Sequence, residues 1–146
     1  VTRVDPRRTY PVRLATSHPV YEHDRVSRFA DVLAAGFVGP DSLQHMGELM
    51  LESHASYGAC GLGSDGTDRL VTLVTDAGPR RGLYAAKITG GGSGGTVAVL
   101  GTDAARGAVH DIARQYERET GREAYVFDGS GPGAEQLGVL HIDAWR

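Results

Sequence analysis

A glycine-rich stretch is the part of this sequence whose residue types most directly suggest chemistry. Residues 87–100 read KITGGGSGGTVAVL, in which five glycines and one serine separate two runs of strand-forming residues. Residues 90–95 match G-x-G-x-x-G, but a strand pattern follows where a dinucleotide-binding fingerprint requires a helix. Thr96 stands where a Walker A loop has lysine, so that motif is excluded too. Two interpretations remain: a strand-turn-strand whose backbone faces a phosphate, or a hairpin without a ligand.

Composition narrows the class of protein. The chain has 146 residues and 40% hydrophobic content, which predicts one domain. A net charge of -3 without a basic run argues against nucleic acid as a partner. No apolar stretch is as long as a membrane span or a signal peptide, so we expect no membrane partner and a cytoplasmic location. Cys60 is the single cysteine and the histidines lack compact zinc spacing, so we expect neither a disulfide nor a metal site.

Hydrophobic periodicity predicts an α+β fold, an antiparallel sheet with helices packed on one face. The first predicted helix covers 22–37, and a capping box at Asp41 and Gln44 opens the second. Ser64 or Asp65 caps the third, and the fourth covers 102–120, with Gly121 just past its end. The predicted strands are an initial one suggested by the alternation of Tyr10, Val12 and Leu14, then 83–89, 96–100, 123–127 and 137–142.

Several of these segments resemble the GHMP kinases, the superfamily that includes the galactokinases and L-arabinokinases. The glycine-rich stretch resembles the third motif of that superfamily. Residues 49–57, LMLESHASY, resemble the galactokinase segment that opens LMxxSHxS, and residues 59–71, ACGLGSDGTDRLV, are similar to the L-arabinokinase variant. The segments at 5–22 and 126–142 resemble the two ends of the C-terminal domain in these enzymes. The resemblance therefore covers nearly the whole chain.

The resemblance implies a domain organisation. Residues 1–146 would form a ferredoxin-like GHMP kinase C-terminal domain, with 1–20 as a strand and linker leading in from a missing N-terminal domain. The sugar-recognition motif, the P-x-G-x-G-L-S-S-S nucleotide loop and the catalytic Asp and Arg of the family lie mostly in that N-terminal domain. None of these motifs matches this sequence, so we assign no catalytic residue here.

The resemblance also implies which residues line an active site. Those facing the phosphates and sugar would be Gly90, Gly91, Gly92, Ser93, Gly94 and Gly95. We expect positive φ at glycines 91, 92 and 94, because so many glycines suit a tight turn. Candidates for the sugar side are His18, Tyr21, His54, Tyr57, Ser64, Asp65 and Asp68. These side chains also have structural interpretations that need no ligand: packing on the first helix, a place in the core, or plain helix capping. Lys87 beside the turn either adds positive charge to the site or is a solvated surface group.

Two functions follow as hypotheses, and whether the chain by itself is an enzyme stays open. The first is the C-terminal part of an ATP-dependent sugar-1-kinase that phosphorylates the anomeric hydroxyl of L-arabinose or galactose. The complete enzyme would use ATP and Mg²⁺, whereas this chain alone would bind neither and be inactive. Its partners would be the sugar and an N-terminal GHMP domain on the same or a separate chain. When this chain is isolated, exposed apolar surface near the turn and near residues 57–62 would favour a homodimer. The second is a stand-alone, non-catalytic module that binds a small molecule or a partner subunit.

Overall fold

The computed structural model of the chain describes residues 3–36, 38–92, 95–129, 136 and 138. Within these residues it contains four α-helices and one antiparallel pair of strands, which confirms the α+β class. The elements in chain order are α1 (Val12–Ala34), α2 (Pro40–Ala59), α3 (Asp65–Ala77), β1 (Leu83–Ile88), β2 (Val97–Gly101) and α4 (Arg106–Thr120), with short 3₁₀ turns at Pro79–Arg81 and Asp103–Ala105.

Strand β1 lies at the centre of the core. Four of its side chains, Leu83, Ala85, Ala86 and Ile88, have no exposed surface, because both α2 and α3 pack against the strand. Helix α2 approaches very closely at Gly47, where a Cβ atom would lie 2.9 Å from the carbonyl oxygen of Tyr84. The main core cluster then joins β1 to α3 and α4 through Val71, Leu73, Val74, Ala108, Ile112 and Tyr116.

The predicted ends of two helices are confirmed. Ser64 is the N-cap of α3, and its hydroxyl oxygen accepts a hydrogen bond from the backbone N–H of Thr67 at 3.4 Å. Gly121 follows α4 with φ of 67°, a left-handed conformation that glycine adopts without a Cβ penalty. These ends depend on local chemistry, which the sequence shows directly.

The start of the chain differs from the prediction. Helix α1 begins at Val12, so the alternation of Tyr10, Val12 and Leu14 does not form a strand. The helix also continues through Pro19, a residue that weakens a helix prediction because it lacks a backbone N–H. Helix α1 lies against α2, and His18 is hydrogen bonded to Ser56 across that contact.

The predicted capping box at the start of the second helix is also wrong. Helix α2 begins at Pro40, with Gly39 as the N-cap and no side-chain cap. Proline suits the first helical position, because its missing N–H would have no intrahelical partner there. Asp41 instead lies within the first turn, where its negative charge is favourable near the helix N-terminus.

The predicted strand at 123–127 is not formed with any described partner. Residues 122–129 have no assigned helix or strand, and Tyr125 and Phe127 are 76% and 85% exposed. Their two rings contact each other, with centroids 4.5 Å apart. The last predicted strand, 137–142, lies outside the described residues except for Gly138.

Candidate functional site

The glycine-rich segment connects the two strands and lies beyond the end of their ladder. The N–H of Thr89 donates to the carbonyl oxygen of Thr96 at 3.1 Å, which closes the strand pair at this end. Gly90 and Gly92 have φ of 75° and 77°, as glycine readily allows. The prediction is thus confirmed at Gly92 and wrong at Gly91, whose φ is not positive, while residues 93 and 94 lie outside the described part. We call residues 90–95 the glycine turn.

The first two residues of the glycine turn, Gly90 and Gly91, are exposed. Among the described residues, no backbone carbonyl receives a hydrogen bond from the N–H groups of Gly90 or Gly91. Consecutive backbone amides in such a turn can form a concave group of donors that suits an anion.

Helix α2 and the residues after it hold the glycine turn from one side. The hydroxyl of Tyr57 donates a hydrogen bond to the carbonyl oxygen of Gly90 at 3.1 Å. Gly92 lies against Leu62, since a Cβ at Gly92 would be 2.5 Å from the Leu62 Cβ and 2.9 Å from its carbonyl oxygen. The turn is therefore packed against protein at two points.

A partly buried ionic cluster lies beside the turn, with Glu22 of α1 at its centre. Glu22 accepts hydrogen bonds from Lys87 Nζ at 3.0 Å, from Arg25 Nη1 at 3.1 Å and from the Ser53 hydroxyl. Side-chain exposure is 18% for Glu22 and 21% for Lys87. Partial burial acts to raise the pKa of Glu22, but the hydrogen bonds from Ser53 and Lys87 and the Lys87 charge outweigh it, so the pKa lies below its ordinary value.

Tyr57 connects this cluster to the turn, and His18 packs against the Tyr57 ring. His18 Nδ1 lies 2.7 Å from Ser56 Oγ, and the His18 ring meets the Tyr57 ring edge-on with centroids 4.6 Å apart. Lys87 Nζ lies 5.3 Å from the centroid of the Tyr57 ring, a cation-π distance. Lys87 is therefore engaged with Glu22 and Tyr57 and is not a freely solvated surface lysine.

His54 links three elements beneath the turn. The backbone N–H of Ile88 donates to His54 Nδ1 at 3.3 Å, and His54 Nε2 lies 3.3 Å from Asp68 Oδ1. Because Nδ1 accepts, the hydrogen of a neutral ring is on Nε2, where it can be donated to Asp68. One imidazole thus joins α2, α3 and the end of β1.

The structure brings some predicted candidates together and separates others. His18, His54, Tyr57 and Asp68 all belong to contacts that surround the start of the glycine turn. Ser64 caps α3, and Asp65 is exposed on the first turn of the same helix. Tyr21 is 60% exposed on α1.

Sequence reasoning missed Glu22, Arg25 and Ser53. The spacing of Glu22 and Arg25 on one helix is a visible signal for an ion pair between them. The pairing of Glu22 with Lys87 joins residues 65 positions apart, and no local pattern indicates it.

A cavity in the described part of the chain lies elsewhere. It has a volume of about 930 Å³ and lies between β2, α3, α4 and the extended residues 122–128. Its walls are mainly apolar, with Leu70, Val97, Val109 and Ile112 among them. We place the candidate site at the glycine turn instead, because charged and polar side chains meet there.

Two further features concern metals and membranes. Over the residues that the structure describes, no group of three or more His, Cys, Asp or Glu side chains is arranged to hold a metal ion. None of the helices in that part is both long and apolar enough to cross a membrane.

Comparison with known families identifies the class of domain. Residues 41–118 match the family described as GHMP kinases C terminal, a range that includes β1, the glycine turn and β2. The chain belongs to this family, and the resemblance found in the sequence is confirmed.

Individual relatives are sugar kinases by name. The chain is 43% identical over 150 residues to an L-arabinokinase of Arabidopsis thaliana, an alignment covering 97% of the chain and 14% of that protein. It is 35% identical over 121 residues to a galactokinase of Roseiflexus sp. (strain RS-1), covering 80% of the chain and 28% of the relative. A galactokinase of Fusobacterium nucleatum subsp. nucleatum is 30% identical over 125 residues, an alignment covering 79% of the chain and 29% of the relative. The chain thus spans less than a third of the length of each of these relatives.

Proposed function

We propose that this chain is the C-terminal part of an ATP-dependent sugar-1-kinase that phosphorylates the anomeric hydroxyl of L-arabinose or galactose. One observation carries the proposal: the exposed start of the glycine turn, with positive φ at Gly90 and Gly92, is hydrogen bonded to Tyr57, whose ring centroid also lies 5.3 Å from the ammonium nitrogen of Lys87. The names of the relatives support the class of substrate.

The physical argument concerns the phosphates of ATP. Phosphoryl transfer depends on positioning and on neutralisation of charge by metal, Lys or Arg and backbone donors. In our proposal the amides of the glycine turn, Gly90 to Gly95, face the phosphates, and Lys87 adds positive charge. Glu22 holds Lys87 in place through its hydrogen bond to Nζ.

The nucleotide would bring Mg²⁺ with it. The described residues offer no acidic cluster for a metal, so we assign the protein ligands of Mg²⁺ to the N-terminal domain. Mg²⁺ would neutralise phosphate charge during transfer. This chain's own contribution to phosphate binding is then backbone amides and one ammonium group.

For the sugar we propose two groups of side chains. Tyr21 and Asp65 are exposed and would offer a hydroxyl and a carboxylate to sugar hydroxyls. His18, His54, Tyr57 and Asp68 already contact protein groups, and Ser64 caps α3, so we assign these residues to shaping the sugar side of the site. Specificity for L-arabinose or galactose would come largely from the N-terminal domain.

We further propose that an N-terminal GHMP domain, on the same or a separate chain, covers α1. None of the residues of α1 is buried. In the expected patch at 57–62, Gly58, Ala59 and Gly61 are exposed, and Tyr57 and Leu62 are half-buried. The large exposed apolar side chains of α1 are Val12, Leu14, Val20, Tyr21, Val26 and Leu33. Without the N-terminal domain, this surface would favour a homodimer.

Because the nucleotide loop and catalytic carboxylate belong to the N-terminal domain, the chain alone should be inactive. We place the complete enzyme in the cytoplasm, where ATP is available.

The test is complementation. The chain is mixed with the N-terminal part of the Arabidopsis thaliana L-arabinokinase, and sugar phosphate is measured with L-arabinose and with galactose, against boiled protein. We expect product from the mixture and none from the chain alone. A chain that binds the N-terminal part without yielding product, or that stays monomeric and does not bind it, would favour the non-catalytic module.

A further inference from the structure

Two side chains of α2 contact the backbone at the point where β1 enters the glycine turn. His54 accepts from the N–H of Ile88, and Tyr57 donates to the carbonyl oxygen of Gly90. The two residues are three positions apart on one helix, so they lie on the same face. They therefore hold two backbone groups at neighbouring points along the chain.

We propose that His54 and Tyr57 are positioning residues that fix residues 88–90 and thereby orient the amides of Gly90, Gly91 and Gly92. The role in catalysis rests on the proposed kinase function. The anchoring itself is a property of this chain, and it can be tested without any kinase activity.

The first step of the argument concerns the Ile88 amide. Successive N–H groups of a strand point to opposite sides, and the N–H of Thr89 points to Thr96 at the β2 side. The N–H of Ile88 therefore points away from β2 and towards α2. The residue has no exposed surface, and a buried N–H without an acceptor is costly. His54 supplies that acceptor.

The second step concerns the form of the imidazole. An acceptor at Nδ1 requires the hydrogen of the neutral ring to be on Nε2. Asp68 Oδ1 lies 3.3 Å from Nε2 and favours that form by accepting its hydrogen. The His54 side chain is 15% exposed, so its orientation is restricted by packing as well. Asp68 thus acts through His54 on the end of β1.

The third step concerns Tyr57. Its ring contacts both His18 and the ammonium group of Lys87, and Lys87 is itself bound to Glu22. These contacts fix the ring, so its hydroxyl is directed at Gly90 without further ordering. A phenylalanine at this position would keep the ring contacts and lose only the hydrogen bond to Gly90.

The anchors matter because glycine backbone is unusually free. Gly90 and Gly92 sample many φ and ψ values in an unrestrained chain. Donors that are already oriented bind a charged group better than donors that must first be ordered. Loss of an anchor should therefore reduce the rate of phosphoryl transfer more than it reduces sugar binding.

The experiment uses matched variants of the 146-residue chain. Tyr57→Phe removes the contact to Gly90. His54→Gln moves the amide to the Nε2 position and leaves Ile88 without an acceptor, whereas His54→Asn places its amide oxygen near the Nδ1 position and restores one. Amide hydrogen exchange is measured by NMR for Ile88 and for the amides of the glycine turn.

In His54→Gln we expect the Ile88 amide to exchange about tenfold faster than in the original chain, because one hydrogen bond is lost. In His54→Asn the exchange rate should stay close to that of the original chain. Tyr57→Phe should shift the amide resonances of Gly90 and Gly91 and leave Ile88 unchanged. Equal Ile88 exchange in the Gln and Asn variants, or unchanged Gly90 and Gly91 resonances in Tyr57→Phe, would overturn the anchoring.

The same variants are then assayed with the N-terminal part of the Arabidopsis thaliana L-arabinokinase. We expect Tyr57→Phe and His54→Gln to lower kcat about tenfold with KM for the sugar unchanged, and His54→Asn to recover most of kcat. A change confined to the sugar KM would overturn the positioning role. Confirmed anchoring with no product even from the original chain would support the anchors and overturn the kinase proposal.

Discussion

Replacing Gly92 by alanine should destabilise the chain more than the same change at Gly90 or Gly91. Gly92 has φ of 77°, a conformation that costs a residue with a Cβ about 1–2 kcal/mol. The new Cβ would also lie 2.5 Å from the Leu62 Cβ and 2.9 Å from the Leu62 carbonyl oxygen. Overpacking of this kind costs about 1–3 kcal/mol, so the expected loss is about 2–5 kcal/mol.

The two neighbouring glycines are the controls. Gly90 has φ of 75°, and no described residue beyond its two chain neighbours has an atom within 4 Å of the position that a Cβ would take. Gly90→Ala should therefore cost only the conformational part, about 1–2 kcal/mol. Gly91 is exposed, lacks positive φ and has equally open surroundings, so Gly91→Ala should change stability by less than about 0.5 kcal/mol.

Urea denaturation of the three variants measures these differences through the midpoint and the slope. The expected order of destabilisation is Gly92, then Gly90, then Gly91. If Gly92→Ala is no more destabilising than Gly91→Ala, the reasoning about positive φ and the contact with Leu62 is wrong.

Three other predictions concern the rest of the chain. Ser64→Ala removes the N-cap of α3 and should cost about 1 kcal/mol in the free energy of unfolding, whereas a change below about 0.3 kcal/mol in urea denaturation would contradict the cap. Hydrogen bonds from Arg69 and Gln115 lower the pKa of Glu119 from 4.5 to about 2, so its stabilising contribution is present above pH 4.5 and is lost as the pH falls towards 2. The stability difference between the original chain and Glu119→Gln should therefore shrink over that pH range, and a difference independent of pH would refute the ion pair's role. The purified chain alone should form no sugar phosphate from ATP and L-arabinose, galactose or glucuronate above a boiled control, and turnover above that control would refute the assignment of catalysis to the N-terminal domain.

Local signals predicted part of the fold well. Strand β1 ends one residue before its predicted bound, β2 is shifted by one residue at both ends, and Ser64 and Gly121 terminate their helices as expected. Each of these features depends on the residue itself and its near neighbours. Glycine at a helix end and a hydroxyl at an N-cap have the same physical effect in most chains.

Contacts between distant segments were not predictable in the same way. The first ten residues of α1 are helical although their sequence pattern suggested a strand, and the hydrogen bond between His18 and Ser56 spans 38 positions. The Glu22 to Lys87 pair spans 65 positions. The resemblance to GHMP kinases directed attention to the glycine turn, but only the structure shows that Lys87, His54 and Tyr57 meet beside it.

The most direct test of the central claim is the position of phosphate in the product. The chain is combined with the N-terminal part of the Arabidopsis thaliana L-arabinokinase, ATP, Mg²⁺ and either L-arabinose or galactose, and the product is measured by ³¹P NMR with proton coupling. We predict a sugar phosphate whose phosphorus couples to the anomeric proton, formed only when both parts are present. Phosphate on another hydroxyl, or no sugar phosphate from a mixture in which the two parts are bound together, would contradict the account.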